Sequence, residues 1–313
     1  MNPAAGVTVV ICTRDGRSKG YFDAALRSVL DQSAPPADVI LVDDGSTDGT
    51  ADYTRVTYPQ IRVVANPRTG LAAARNTGIA HASTRWIAFI DDDDIWRPHK
   101  LARQLAQIAD SERPDWTIWA ARMVPIDDEG RTAWRPIRLD HFARWPACLL
   151  ACPITPSGVI VSGALFDRFG GFAEHLSEGS AFDYWARCMA GGAQIAFSRD
   201  VLVEHRRHAR QMTSRDRTME TVLAGDAIVI PYLRLLPPAQ AERVRTARAL
   251  MYWRWFLTHR GPRWAVRYWR ATPLRPARMD WRGTLYPLLD TAAAGLPAAL
   301  RARLRDIAAR TVA

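Results

Sequence analysis

Trp86-Ile-Ala-Phe-Ile90, followed without a break by Asp91-Asp-Asp-Asp94, is the stretch from which the rest of the chain can be read. Five apolar residues bounded by charge describe a buried strand. Four adjacent carboxylates at the end of such a strand repel one another where water is scarce. The cluster therefore calls for something positive. A hard divalent cation with oxygen ligands, of the kind that bridges to a substrate's phosphates, meets that need. A solvated acidic turn is the plain alternative, but other polar clusters fall in equivalent places.

Upstream, short apolar runs alternate with helical patterns. Val7–Cys12, Val39–Val42 and Ile61–Ala65 read as strands. Tyr21–Leu30 reads as a helix with Phe22, Ala25, Leu26, Val29 and Leu30 on one face. Ser46-Thr47-Asp48 caps a short helix ending before Pro59, and Thr69 caps a helix over Leu71–Asn76. Pro98 falls in the first turn of a helix reaching Ala109. Alternation at this spacing means crossover units and a largely parallel sheet, which binds ligands beyond the carboxyl ends of its strands. Those ends are Thr13-Arg14-Asp15, Asp43-Asp44-Gly45-Ser46, Asn66 with Arg68-Thr69-Gly70, and the Asp91 cluster. Further on, Trp116–Val124, Ser157–Gly163 and Gln194–Phe197 read as strands, Phe182–Ala190 as a helix, and everything from Thr218 as helical.

The 313 residues, 48% of them hydrophobic, suffice for one large α/β domain with an appendage. The first residues lack the basic-then-apolar layout of a signal peptide. No apolar run is long enough to span a bilayer; residues 283–300 come nearest and are interrupted by Pro287, Asp290 and Pro297. The four cysteines show no metal-type pairing, so buried thiols in a reducing cytosol are expected. The net charge of +10 is uneven: from Arg215 onward there are 18 Arg and no Lys against 7 acidic residues. A near-neutral body thus carries a basic tail, which points to an anionic partner surface.

The Asp43–Thr50 segment lacks the glutamate and flanking helices of a calcium-binding loop. No Walker phosphate loop and no Rossmann glycine pattern follow the first strand. Acids at the ends of strands one and two can accept hydrogen bonds from a base and a ribose. The carboxylates of strand four can hold a metal on a pyrophosphate, and Arg75 can add positive charge. Together these describe a nucleoside diphosphate with its leaving group on a cation.

In these residues the chain resembles the family-two glycosyltransferases of the GT-A fold. The resemblance rests on Thr8–Thr13, Leu41–Thr50, Gly70–Gly78, Phe89–Trp96, Gly170-Gly-Phe172, Trp185-Ala-Arg187 and Arg206–Met212, and covers residues 7–214. It implies an α/β, Rossmann-like, mostly parallel sheet flanked by helices, with a transferase domain over 1–214 and a Trp/Arg-rich helical region over 215–313. It implies an inverting transferase that moves a sugar from a nucleotide-diphosphate sugar, a UDP-sugar first, to a hydroxyl of a glycan or lipid-linked acceptor in bacterial cell-surface polysaccharide synthesis. Carried over by position, Thr13, Asp15 and Asp44 would hold the nucleoside and Arg75 would lie near the nucleotide. Asp91 and Asp93 would form the Asp-x-Asp pair that binds Mg²⁺ or Mn²⁺, with Asp93 in direct contact. Asp92 would face the donor ribose or sugar, and His208 would close over the diphosphate and metal, the alternative for it being an exposed turn histidine. Trp185 and Arg187 would serve packing.

One departure bears on catalysis. Where many members carry Glu-Asp, with the Asp as general base, this chain has Ser180 and Ala181. Three readings stay open. Glu178 could serve if its turn is helical, or Asp183 if the helix is rotated, or the protein binds a nucleotide sugar without turning it over, as partner of another transferase. A nucleotidyltransferase is disfavoured by the missing Gly-rich opening.

Met251–Arg260 and Trp264–Arg270 interleave aromatics with arginines. An interfacial helix on anionic lipid fits this composition, and a helical subdomain with its aromatic face packed inward is the structural alternative. Nucleic acid, by stacking and phosphate contact, is the less favoured partner. A cytoplasmic protein, peripheral on the inner face of the plasma membrane, is the expectation.

Overall fold

The computed structural model describes residues 6–132, 140–208, 211 and 218–275. Each apolar run of the first hundred residues forms a strand: β1 (Val7–Thr13), β2 (Asp38–Asp43), β3 (Arg62–Ala65) and β4 (Trp86–Asp91). Between them lie α1 (Phe22–Leu30), α2 (Thr50–Thr57) and α3 (Leu71–His81). The four strands pair in parallel in the spatial order β3-β2-β1-β4. Strand β1 is apolar at nearly every position because both its faces are covered. Val7, Val9 and Ile11 enter one core with Phe22, Leu26 and Val29 of α1, while Val10 and Cys12 enter the other with Ala72 and Ala74 of α3. Helix α3 lies so close that a Cβ on Gly78 would stand 2.3 Å from Val10 Cγ1.

The sheet then leaves the parallel pattern. β5 (Ile95–Trp96), α4 (Lys100–Ala109), β6 (Thr117–Ile126), β7 (Val159–Ser162), α5 (Gly163–Phe169), α6 (Ser180–Ala190) and β8 (Gln194–Arg206) follow. The eight-stranded order is β3-β2-β1-β4-β7-β6-β8-β5. β7 is antiparallel to β4 and β6, and β5 to β8, while β6 and β8 run parallel. The sheet is thus mixed and mostly parallel, as expected.

Local differences from the sequence reading have physical causes. Strand β8 runs 13 residues instead of stopping at Phe197; Arg199, Asp200 and Glu204 interrupt its apolar pattern, yet the strand stays paired with β6 through Arg206. Pro98 precedes α4, which starts at Lys100, because Ile95–Trp96 is drawn into the sheet. Thr69 does not cap α3: the N-cap is Gly70, at φ 103°, and its N–H is given to Asp44 instead.

The chain forms two compact units, residues 1–148 with 152–216 and residues 149–151 with 217–313. The second contains α7 (Met219–Leu233), α8 (Pro238–His259) and α9 (Pro262–Ala271). Its interior takes up Tyr252, Trp253, Phe256, Tyr268 and Trp269. Among the described residues, ring contacts join Tyr252 and Phe256 of α8 to Tyr268 of α9. At its centre Asp226, fully buried, accepts hydrogen bonds from Arg248 Nε (2.8 Å), Tyr268 Oη (2.9 Å) and Thr272 Oγ1 (2.7 Å). Arg248 Nη1 donates to the main-chain oxygens of Leu149 and Leu150, each at 2.8 Å. The apolar stretch 283–300 and Ala209, Arg210 and Met212 lie outside the described residues. Among the described residues, no helix is long and apolar enough to cross a membrane.

Candidate active site

Parallel pairing brings the carboxyl ends of four strands level. Thr13 pairs with Asp43, Cys12 with Asp91, and Asp43 with Ala65. Asp44 N–H donates to Thr13 O and Asn66 N–H to Asp43 O, both at 2.8 Å, so the ladder continues one residue beyond the strands. The polar residues on that rim are gathered by the fold itself.

The four aspartates diverge, each to a different partner. Asp91 Oδ1 accepts from Arg75 Nη2 at 2.8 Å, and its N–H donates to Ser157 Oγ at 3.0 Å. Arg75 is itself buried, on the part of α3 pressed against β1. Asp92, also buried, accepts from Thr13 Oγ1 at 2.5 Å and Lys19 Nζ at 2.8 Å. Burial still leaves its carboxyl above the ordinary range, against the pull of Lys19 and Thr13. Asp94 is fully buried, 2.9 Å from His205 Nδ1 and 2.9 Å from the N–H of Arg206. Burial would raise its carboxyl, but His205, Ser157 and the Arg206 N–H outweigh that and hold it below the usual value. The expected repulsion is thus relieved in part by the protein's own cations and donors.

Asp93 is the exception. Its Oδ2 lies 2.9 Å from His208 Nε2, yet burial first, and then Asp94, Asp91 and Asp92, push its pKa up to about 8. His208 is not an exposed turn residue: its side chain is 6% exposed, and its ring centre lies 5.1 Å from that of Tyr21.

The other rim acids hold loops. Asp44 Oδ1 accepts from Asn66 Nδ2 at 2.7 Å, and both its oxygens lie 3.0 Å from Gly70 N. Thr77 Oγ1 secures Asn66 at 2.9 Å. Asp15 sits at φ 51°, a left-handed conformation that Asp tolerates better than most residues. Its N–H donates to Ser46 Oγ and its Oδ1 accepts from the Thr47 N–H. Thr13, Asp15, Asp44, Arg75, Asp91, Asp92, Asp93 and His208 therefore form one connected rim. Glu178 and Asp183 come from another element, at the start of α6.

Helix α6 begins at Ser180 behind Gly179, which is left-handed at φ 78°. Glu178 precedes that break, so the helical turn that would align it with Ala181 is not formed. Asp183 lies in the first turn, and its Oδ2 accepts from Arg187 Nη2 at 2.7 Å. Arg187 also donates to the main-chain oxygens of Phe169 and Gly171. Trp185 is fully buried beside Phe172, at 5.9 Å between ring centres.

Lys19, Ser157, His205 and Arg206 also belong to the rim's wiring and were given no role from the sequence, which marked Asn66 only as a strand end. One signal was available: the chain has only two lysines, Lys19 and Lys100. Lys100 is fully buried, its Nζ 3.7 Å from the ring centre of Trp96 and without a hydrogen-bond partner. Burial pulls its pKa well below the ordinary amine value. Arginine, which does not deprotonate in proteins, cannot take that state.

Among the described residues, no three His, Cys, Asp or Glu side chains form a cluster able to hold a metal by themselves. The donors at the rim are nonetheless of a fitting kind. Asp91 and Asp93 offer hard oxygens, and the raised value at Asp93 marks carboxylate charge the protein alone does not balance. Magnesium-type ions are commonly held by one or two carboxylates, with phosphate and water completing the shell.

The sequence model described as Glycosyl transferase family 2 matches residues 8–166. TuaG of Bacillus subtilis, whose name places it in teichuronic acid biosynthesis, is 39% identical over 101 residues, 31% of this chain and 40% of TuaG. This chain therefore spans well under half of that relative. The succinoglycan biosynthesis protein ExoU of Rhizobium meliloti is 27% identical over 255 residues, 74% of this chain and 72% of ExoU. Residues 1–349 of S. aureus TarS superpose with a TM-score of 0.60 at 15% identity, covering 93% of this chain and 81% of that one; the same TarS portion has also been solved with UDP-GlcNAc.

Proposed function

Because this chain belongs to glycosyl transferase family 2, we propose that it moves a sugar, with inversion, from a nucleotide-diphosphate sugar to a hydroxyl of a glycan or lipid-linked acceptor in bacterial cell-surface polysaccharide synthesis. The single observation that carries this is the rim itself, where four parallel strand ends gather carboxylates and Asp93 is left short of positive charge. A UDP-sugar is the donor class to try first, since TarS, a neighbour in fold, was solved with one. The names of the relatives TuaG and ExoU, one for teichuronic acid and one for succinoglycan biosynthesis, support the polysaccharide setting.

In this reading Thr13, Asp15 and Asp44 hold the nucleoside, and Arg75 steadies Asp91 beside the nucleotide. Asp92, already pinned by Thr13 and Lys19, meets the donor ribose or sugar. Asp91, Asp93 and His208 are the groups that would hold Mg²⁺ or Mn²⁺. Bound there, the ion would neutralise charge developing on the departing diphosphate. A carboxylate takes the acceptor hydroxyl's proton as that oxygen bonds the anomeric carbon and the bond to the diphosphate breaks. Glu178 and Asp183 are the two candidates, and Asp183 is already paired through Oδ2 with Arg187. Work of this kind on a lipid-linked acceptor would take place at the inner face of the plasma membrane.

Ser180 and Ala181 favour one other reading, a nucleotide-sugar-binding partner of another transferase. Purified chain incubated with a panel of nucleotide sugars, with and without Mn²⁺, separates the two. Transfer or donor hydrolysis supports the enzyme; metal-dependent thermal stabilisation with no turnover supports the binding partner; neither result sinks both.

A further inference from the structure

Helix α9 carries a face to which the proposed sugar transfer assigns no residue. Ala265, Tyr268 and Trp269 turn inward, where Tyr268 meets Phe256 at 5.2 Å and Tyr252 at 6.3 Å between ring centres. The opposite side presents Arg263, Val266, Arg267, Arg270 and Ala271 along one shallow groove. Spacings of four and three residues put the three arginines in a single row on the helix. Among the described residues, none of the three has an acidic partner; the ion pairs of this unit go to Arg245 and Arg248. Nor does the local sequence supply one: from Arg243 to Met279 there are ten Arg and no Asp or Glu. Trp264, at 38% exposure, borders the row, with the Arg267 guanidinium 5.5 Å from its ring centre.

We propose that this row, Arg263, Arg267 and Arg270 with Trp264 at its edge, docks on the phosphate layer of a membrane containing anionic lipid. Three like charges on one helical face are unfavourable unless water or an anionic surface offsets them. Guanidinium forks match phosphate oxygens, and tryptophan settles at headgroup depth. The mode is electrostatic docking and not insertion, because α9's apolar side is already buried within its own unit. A nucleic-acid groove would instead need aromatic platforms, and of the aromatics on α9 only Trp264 is exposed. The purpose of such docking rests on the proposed lipid-linked acceptor, but its measurement does not.

Co-sedimentation of the full chain with vesicles tests it. Binding is expected to phosphatidylcholine vesicles containing phosphatidylglycerol, not to phosphatidylcholine alone, and should fade as salt is raised. Each arginine near a charged surface contributes about fivefold, so Arg263→Gln/Arg267→Gln/Arg270→Gln should weaken binding about a hundredfold. The corresponding triple lysine variant should retain most of it. If the triple glutamine variant does not fold, Arg263→Gln/Arg270→Gln should weaken binding about twenty-five-fold. Wild-type binding by a folded glutamine variant, equal binding to neutral vesicles, or capture of single-stranded RNA without vesicle binding overturns the proposal. Thermal stabilisation by UDP with Mn²⁺ is read in parallel. Lost docking with that stabilisation intact removes the surface alone; absent stabilisation with docking intact removes the transferase reading alone.

Discussion

Asp93, half-buried in one unit, and Asp226, fully buried in the other, are acids treated in opposite ways. Asp226 is closed off: Arg248, Tyr268 and Thr272 occupy its two oxygens, and Arg248 completes its own valence on main-chain carbonyls. Asp93 has one imidazole and three neighbouring carboxylates, and its pKa is pushed up to about 8. A charge whose partners are complete holds a structure together; one whose partners are incomplete marks a candidate ligand site.

The sharpest way to break this contrast is to remove each acid. Asp93→Ala should abolish turnover, by at least about a thousandfold, while the melting temperature of the ligand-free protein changes little. Full activity of that variant with metal removed would refute the metal role. The carboxylate acting as base comes next. Glu178→Gln or Asp183→Asn, whichever is the base, should lower kcat about a hundred- to ten-thousandfold with little change in donor affinity; if neither does so, both assignments are wrong. Asp183→Asn should also loosen α6, because Arg187 loses its carboxylate partner and keeps only main-chain oxygens among the bonds described above.

In the second unit the effect should appear in stability. Arg248→Ala should cost about 3–5 kcal/mol, read by denaturant unfolding, since it strands Asp226 without a counter-charge. A loss below about 1 kcal/mol would put that pair in the class of surface ion pairs and undo the comparison.

The smallest effect concerns Lys100, a buried amine with nothing to bond. Lys100→Met should stabilise the protein by about 1–2 kcal/mol near neutrality, because a polar atom without a partner is replaced by one that needs none. The sign with pH follows from its depressed value. Below about 10.5 the unfolded amine binds a proton that the folded one refuses, so wild-type stability should rise with pH toward that value. The advantage of the methionine variant should shrink over the same range. An advantage that grows with pH would show that Lys100 is charged in the fold.

What the sequence made legible is what one strand reveals by itself. The runs ending at Thr13, Asp43, Ala65 and Asp91 disclosed a parallel sheet and its rim, because apolar strands ending in acids need no partner to be recognised. Pairing was another matter. His205 reaches Asp94 only because β8 continues past its charged residues, and nothing before Arg199 announces that. Lys19 is one of three nearby cations, with Arg14 and Arg17, until Asp92 is placed beside it. Asn66 was seen as a strand end, but its grip on Asp44 depends on α3 delivering Thr77. Glu178 was considered on helical spacing, which the left-handed Gly179 removes.

Strands β6 and β7 are hydrogen-bonded neighbours, yet residues 127–158 separate them. Within that excursion Arg248 clasps two peptide oxygens, those of Leu149 and Leu150. Such a clasp is blind to residue identity. The clasp itself therefore survives a change of side chain at these two positions, whereas Ser157, later in the excursion, is tied by its hydroxyl to the Asp91 N–H and is not exchangeable in that way.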